Sequence, residues 1–183
     1  MNNMDKPIIK EVIIENFMSY EYARIPFKQG INIISGPNGA GKSSILLALA
    51  VALGQTYTER GRRLSDLIRR GRDLARVTVV IDNSPRNGVR PIPRYRVDEI
   101  YISRYLKSDG SYWHEINYRV VSKGEVERLL SHINLNPNNS LIIMHQNMIE
   151  EFAVISPINR LRLIEEAVGI SGYRDRIIES MRN

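Results

Sequence analysis

Chemistry is most concentrated in Gly36-Pro37-Asn38-Gly39-Ala40-Gly41-Lys42-Ser43-Ser44, which has the form G-x-x-x-x-G-K-[ST]. Gly36, Gly39 and Gly41 lack a Cβ, so the backbone can curl tightly and aim successive N–H groups into one anion-sized hollow. Residues 43–50, Ser-Ser-Ile-Leu-Leu-Ala-Leu-Ala, read as a helix whose first N–H groups and dipole favour a bound phosphate. Lys42 can reach β/γ-phosphates as a point charge, and the Ser43 hydroxyl can ligate Mg²⁺. An apolar run before the loop and a helix-like run after it make a chance glycine turn a poor alternative. The stretch predicts a nucleoside triphosphate site.

Hydrolysis needs more: an acid to hold Mg²⁺ and a group to orient the attacking water. Asp82 follows Val79-Val80-Ile81 but runs straight into a loop, and Asp98-Glu99 is preceded by Arg94-Tyr95-Arg96 in place of an apolar strand. Both read as ordinary strand residues. His114, His132 and His145 share no metal-ligand spacing. No Asn/Thr-Lys-x-Asp segment is present to select guanine, which argues against a GTPase. Gln146 follows the apolar run Leu141-Ile142-Ile143-Met144, and an amide carbonyl at a strand end can complete a Mg²⁺ shell or position a water. On spacing alone, a solvent-facing loop glutamine explains it as well.

The most basic stretch runs from Thr58 to Arg72 and holds Arg60, Arg62, Arg63, Arg69 and Arg70. Clustered guanidiniums suit a nucleic-acid backbone. A solvated helix face with Leu64, Leu67 and Ile68 turned inward suits the same pattern, and spacing does not choose between them. The 183 residues carry 26 Lys+Arg against 20 Asp+Glu, a net charge of +6 that is compatible with a polyanionic partner. There is no cysteine, hence no disulfide and no thiolate metal site. The first residues lack the apolar core of a signal peptide, and no apolar run approaches the ~18 residues of a membrane span. A cytoplasmic location is the default expectation.

Elements that position these groups follow from hydrophobic pattern and punctuation. Residues 8–16 read as a first strand and 23–27 as an edge strand, because Pro26 cannot sit centrally. Ile31-Asn32-Ile33-Ile34 reads as a short buried strand delivering the phosphate loop. The helix from Ile45 to Leu53 is apolar almost all round, as a core helix under a sheet would be, and Gly54 ends it. Residues 76–82 form a strand, 83–93 a loop, and 94–106 and 111–121 two strands joined at Asp109-Gly110. Tyr95, Tyr101, Tyr105, Tyr112, Trp113 and Tyr118 alternate there with arginines. A half-buried sheet explains that alternation better than a base-stacking platform. Ser122-Lys123-Gly124-Glu125 is a capping box opening a helix with Val126, Leu129, Leu130 and Ile133 on one face. Leu141 to Met144 reads as a buried strand. A last helix opens at Ser156-Pro157 with Leu161, Ile164, Ala167 and Val168 as its stripe and Gly169 at its end, and the charged segment from Tyr173 is helical in character.

Taken in order, Asn16-Phe17-Met18-Ser19-Tyr20, the loop Gly36–Ser44, Leu64-Ser65-Asp66-Leu67-Ile68, Asp109 to Trp113, Gln146 and Ser156-Pro157 through Ile170 resemble the N-terminal half of an SMC-family ATPase head. The resemblance covers residues 8–183. The stretch from Arg60 to Asp66 is also similar to repair-devoted eukaryotic SMC subfamilies and to archaeal SMC-like proteins. It implies an α/β fold, a P-loop NTPase of the ABC-type head class: an N-lobe with an antiparallel β subdomain over residues 1–172, and the root of a coiled-coil arm over 173–183. It implies ATP and Mg²⁺ as cofactors, held by Gly36, Pro37, Asn38, Gly39, Ala40, Gly41, Lys42, Ser43 and Ser44. Gln146 corresponds to the family's glutamine at the metal and water, and Arg60, with Arg62 and Arg63 beside it, to an arginine coupling DNA to hydrolysis. Many relatives carry Lys or Arg where Met18 stands, so a phosphate contact there is not carried over.

The signature motif and Asp-Glu strand of the family lie in the C-terminal half of the head, and Gly169-Ile170-Ser171-Gly172 only echoes the signature. The resemblance therefore implies four kinds of partner: that C-terminal half, a second head, double-stranded DNA, and a kleisin-like or nuclease subunit. It implies a nucleoid-associated ATPase acting in chromosome organisation or DNA repair, whose isolated N-terminal half does not turn over. Three other readings remain open at this stage: a self-contained P-loop nucleotide kinase, a zinc-hook break-repair ATPase, and a DNA-binding module that merely retains the loop.

Overall fold

The computed structural model describes residues 8–55, 63–133, 135, 142–144, 153–168, 170 and 180. The chain divides into two compact units, Met1–Leu129 and Leu130–Asn183.

In the first unit, Ile8–Phe17 (β1), Tyr20–Pro26 (β2), Leu74–Asp82 (β3), Glu99–Lys107 (β4), Tyr112–Ile116 (β5) and Arg119–Val121 (β6) form one antiparallel sheet in the order β2-β1-β3-β4-β5-β6. Helix Lys42–Ala52 (α1) packs against β1, β3 and β4. Successive strand residues point to opposite faces, and this period separates two chemistries. Val12, Ile14, Val77, Val79, Ile81, Ile100 and Ile102 are buried on one set of alternating positions. The other set carries ion pairs and rings: Glu11 with Arg24, Glu15 with Arg76, and Tyr105 stacked on Trp113 with centroids 4.5 Å apart. Those rings pack on each other, as a half-buried sheet requires. Within that face Thr78 and Ser103 hydroxyls share a buried hydrogen bond of 2.8 Å.

Two strands expected from sequence are shorter than the pattern predicts. Residues 94–98 stay outside β4 because the buried Asn83 side chain gathers the preceding loop: its amide donates to the Tyr95 and Val97 carbonyls at 2.9 and 3.0 Å, and its carbonyl accepts from Ile92 N at 2.8 Å. The span 111–121 is split into β5 and β6 by Asn117 and Tyr118, both at positive φ, the geometry of a tight hairpin turn. A third expectation fails more completely. Ile31 to Ile34 is not a strand, and Ile31 and Ile33 are 92% and 85% exposed. No described strand lies beside it, and an apolar run without a hydrogen-bonding neighbour has nothing to pair with.

Other local signals hold. Gly54 (φ 110) closes α1, and the Asp109 carboxylate accepts from Ser111 N at 2.8 Å in the β4–β5 hairpin. Helix Lys123–His132 (α2) opens on the reciprocal Ser122–Glu125 cap. In the second unit, Pro157–Ala167 (α3) starts with Ser156, whose carbonyl accepts from Arg160 N at 2.9 Å. Its apolar stripe, Leu161, Ile164 and Val168, is exposed. Of the run Leu141–Met144, residues 142–144 are turn and irregular backbone, not strand, although Ile143 is buried. Gly169 and the segment 173–179 lie outside the described residues.

Candidate phosphate-binding site

The glycine-rich loop leads directly into α1. Gly39 and Gly41 sit at φ 82 and 91, left-handed backbone that side chains with a Cβ rarely adopt, and Gly41 is the N-cap of the helix. The loop closes on itself: Ala40 N donates to the Pro37 carbonyl at 3.2 Å, and Ser44 N to the Gly41 carbonyl at 2.9 Å. The Lys42 ammonium crosses the curl and donates to the Gly36 and Pro37 carbonyls, both at 2.7 Å. Residues 35–40 and Ser43 are exposed, while Ser44 is buried beneath them. The result is an open cradle at a helix N-terminus with a cation at its rim and a hydroxyl facing out. A glycine-rich turn at a helix N-terminus has the chemistry to take a phosphate, and the exposed Ser43 is the hydroxyl of this loop that could serve an accompanying Mg²⁺. Among the described residues, no three His, Asp or Glu gather to hold a metal by themselves.

Two structures fix α1 at its ends. At the N-terminus the β1–β2 turn abuts the loop: a Cβ built on Gly41 would lie 2.8 Å from the Tyr20 hydroxyl and 3.1 Å from Ser19 Oγ. A side chain there would have to displace those two groups and also hold φ 91, left-handed backbone that favours glycine. At the C-terminus the fully buried Arg104 of β4 donates from Nη1 to the Val51 and Gln55 carbonyls at 3.2 and 2.6 Å, tying β4 to the last turn of the helix and the backbone just past it. The Tyr112 ring lies 4.3 Å from that guanidinium. Burial pushes Arg104 down to about 10, so it stays charged at neutral pH. Burial, then the Arg104 charge, pushes His114 down to about 4. That histidine is a neutral core residue. Sequence reasoning saw Arg104 and Tyr20 only as members of larger patterns; a lone arginine within an apolar strand was the available signal for the first.

The acids set aside on sequence grounds are engaged structurally. Asp82 accepts from Ser84 N and Arg86, Asp98 pairs with Arg90, and Glu99 binds Lys10 and the Tyr101 hydroxyl. Arg63 is exposed and opens a 3-10 turn, Leu64–Leu67, its N–H donating to the Asp66 carboxylate at 3.1 Å. Arg60, Arg62 and Gln146 lie outside the described residues.

The family model described as the RecF/RecN/SMC N terminal domain matches residues 8–150. The chain belongs to this family. Among curated relatives, "Structural maintenance of chromosomes protein 6" of Dictyostelium discoideum is 32% identical over 152 residues, covering 79% of this chain and 13% of that protein. The chain thus spans roughly an eighth of that relative's length. Among solved structures, the Smc head domain of Pyrococcus furiosus with an extended coiled coil, bound to the C-terminal domain of ScpA, superposes with a TM-score of 0.80 at 30% identity over 96% of this chain and 45% of that one. An SMC chain from a study of ATP-driven dimerization and DNA-stimulated activation superposes with a TM-score of 0.74 at 30% identity, covering 86% of this chain and 98% of that one. The fold is the N-terminal lobe of an ABC-type ATPase head, and the sequence corresponds to the N-terminal part of an SMC-family head. No helix among the described residues is long and apolar enough to cross a membrane.

Proposed function

We propose that this chain is the ATP-binding lobe of an SMC-like ATPase head that engages a second head around ATP and responds to double-stranded DNA in chromosome organisation or repair. The observation that carries the reading is the loop, where Lys42 and the left-handed Gly39 and Gly41 build an anion cradle on the first turn of α1. In this reading residues 36–44 hold the triphosphate, Ser43 and Gln146 share Mg²⁺, and Arg60, Arg62 and Arg63 contact the DNA backbone. Magnesium, when bound, would supply charge neutralisation on the phosphates. Lys42 holds the phosphates in register, and Gln146 orients the water.

The acids and signature residues come from the C-terminal half of the head, residues 1–172 forming the lobe and 173–183 entering a coiled-coil arm. The exposed Ile31 and Ile33 support that assembly, because they lie in an apolar segment immediately before the loop that no described strand pairs with. A kleisin-like subunit is a further partner, by analogy with the ScpA-bound head. ATP favours the engaged state only through contacts that separated heads lack.

Steady-state hydrolysis tests the reading. The 183-residue chain alone should not turn over, and joining it to its C-terminal half should give slow hydrolysis that DNA accelerates and Lys42→Ala abolishes. Sustained turnover by the chain alone would overturn it.

A further inference from the structure

The β1–β2 turn is strained and clamped. Asn16 and Met18 both sit at φ 50, left-handed backbone unusual for residues with a side chain. Such geometry persists where neighbours over-determine it. Here the chain after the 3-10 turn does so: Met18 N donates to the Leu67 carbonyl and Arg69 N to the Asn16 carbonyl, both at 2.8 Å, around a bridge between Phe17 and Ile68. Arg69 adds a side-chain hold, its Nη1 donating to the Ser19 carbonyl at 2.6 Å. On its other side the same turn presses Ser19 Oγ and the Tyr20 hydroxyl against Gly41.

We infer that Arg69 is a positioning residue for the phosphate loop, acting through Ser19 and Tyr20 on Gly41. The inference rests on the loop being a nucleotide site. A charge-assisted hydrogen bond to a carbonyl in a strained turn fixes where the Ser19–Tyr20 backbone lies. The Tyr20 hydroxyl and Ser19 Oγ occupy the space a Cβ on Gly41 would fill, so a shift of the Ser19–Tyr20 backbone moves the groups that line the loop at Gly41. The arginine also continues the basic stretch that begins at Arg60, so the segment read as DNA-facing is bonded to the turn that shapes the loop. Neither residue needs to touch nucleotide for this to act.

The alternative is that Arg69 supplies only positive charge near a polyanion. Arg70, its exposed neighbour, is the control because it removes the same charge. In the full-length protein, Arg69→Ala should weaken MgATP binding about fivefold while kcat at saturating ATP stays within about twofold, as loss of one charged hydrogen bond implies. Arg70→Ala should leave both unchanged, and Arg69→Lys, which keeps a donor for Ser19, should recover most of the affinity. Tyr20→Phe combined with Arg69→Ala should be no worse than Arg69→Ala alone, since the two act in series.

Hydrogen exchange at the Gly39–Ser44 amides reads the same positioning without nucleotide. It should quicken in Arg69→Ala while the β3 amides keep their protection, which also controls for global unfolding. Equal effects of Arg69→Ala and Arg70→Ala on affinity, additive Tyr20 and Arg69 effects, or unchanged exchange in the loop would each overturn the inference. Absence of MgATP binding by the wild-type protein would instead sink the nucleotide reading, leaving the exchange result to decide the coupling.

Discussion

Two short runs rich in β-branched residues have opposite fates in this molecule. Val77-Thr78-Val79-Val80-Ile81 is the centre of the sheet, hydrogen-bonded to β1 on one edge and β4 on the other, and all five residues are buried. Ile31-Asn32-Ile33-Ile34 has no described strand at either edge and is exposed among the described residues. Asn32 is instead used locally, accepting from Lys28 N at 2.9 Å and donating to the Lys28 carbonyl at 2.7 Å. β-propensity describes fit to a half-buried pleated surface, and the surface must exist before the propensity counts. The first run is paired on both edges by described strands, whereas the second runs straight into the phosphate loop with no described strand beside it.

Truncation should expose the contrast most strongly. Ile81→Ala should cost about 3 kcal/mol in urea unfolding of the chain, through lost burial and a residual cavity. Ile33→Ala should stay within about 0.5 kcal/mol, as exposed substitutions do. Similar losses for both would mean that the run before the loop is packed after all.

Acid should act on the sheet through His114. His114 is held neutral at about 4, below its ordinary value, so the unfolded chain takes up a proton between pH 6.5 and 4 that the folded chain refuses. This contribution is present in full above pH 6.5 and is lost as pH falls toward 4, reaching about 3 kcal/mol by linkage. His114→Gln should flatten that part of the urea midpoint against pH profile, and an unchanged slope would show that another group carries it. A smaller loss than at Ile81 belongs to the polar pair on the far face. Thr78→Val leaves Ser103 without its buried partner and should cost about 1 kcal/mol, measured by the same unfolding curve.

Legibility in the sequence followed the range of the interaction. The loop, Gly54, the Asp109-Gly110 hairpin and the Ser122–Glu125 cap were readable because each is decided within a few residues by backbone freedom or a local hydrogen bond. The strand at 31–34 was misread because its fate depends on what lies beside it, which no local pattern contains. Asn83, Arg104 and the Tyr20–Gly41 contact were not readable for a related reason: each joins residues nine or more positions apart through one side chain. Arg104, with Nε and Nη2 unpartnered among the described residues, is the extreme case, a charge kept in the core to hold the far end of α1.

The account turns on Lys42 and the loop gripping a triphosphate. Calorimetric titration of MgATP into the head assembled from both halves tests this directly, with Lys42→Ala alongside. Saturable binding that falls by about a hundredfold or more in the variant is the result expected for loss of a charged phosphate contact. Equal binding by the two proteins, or no heat from either, would contradict it.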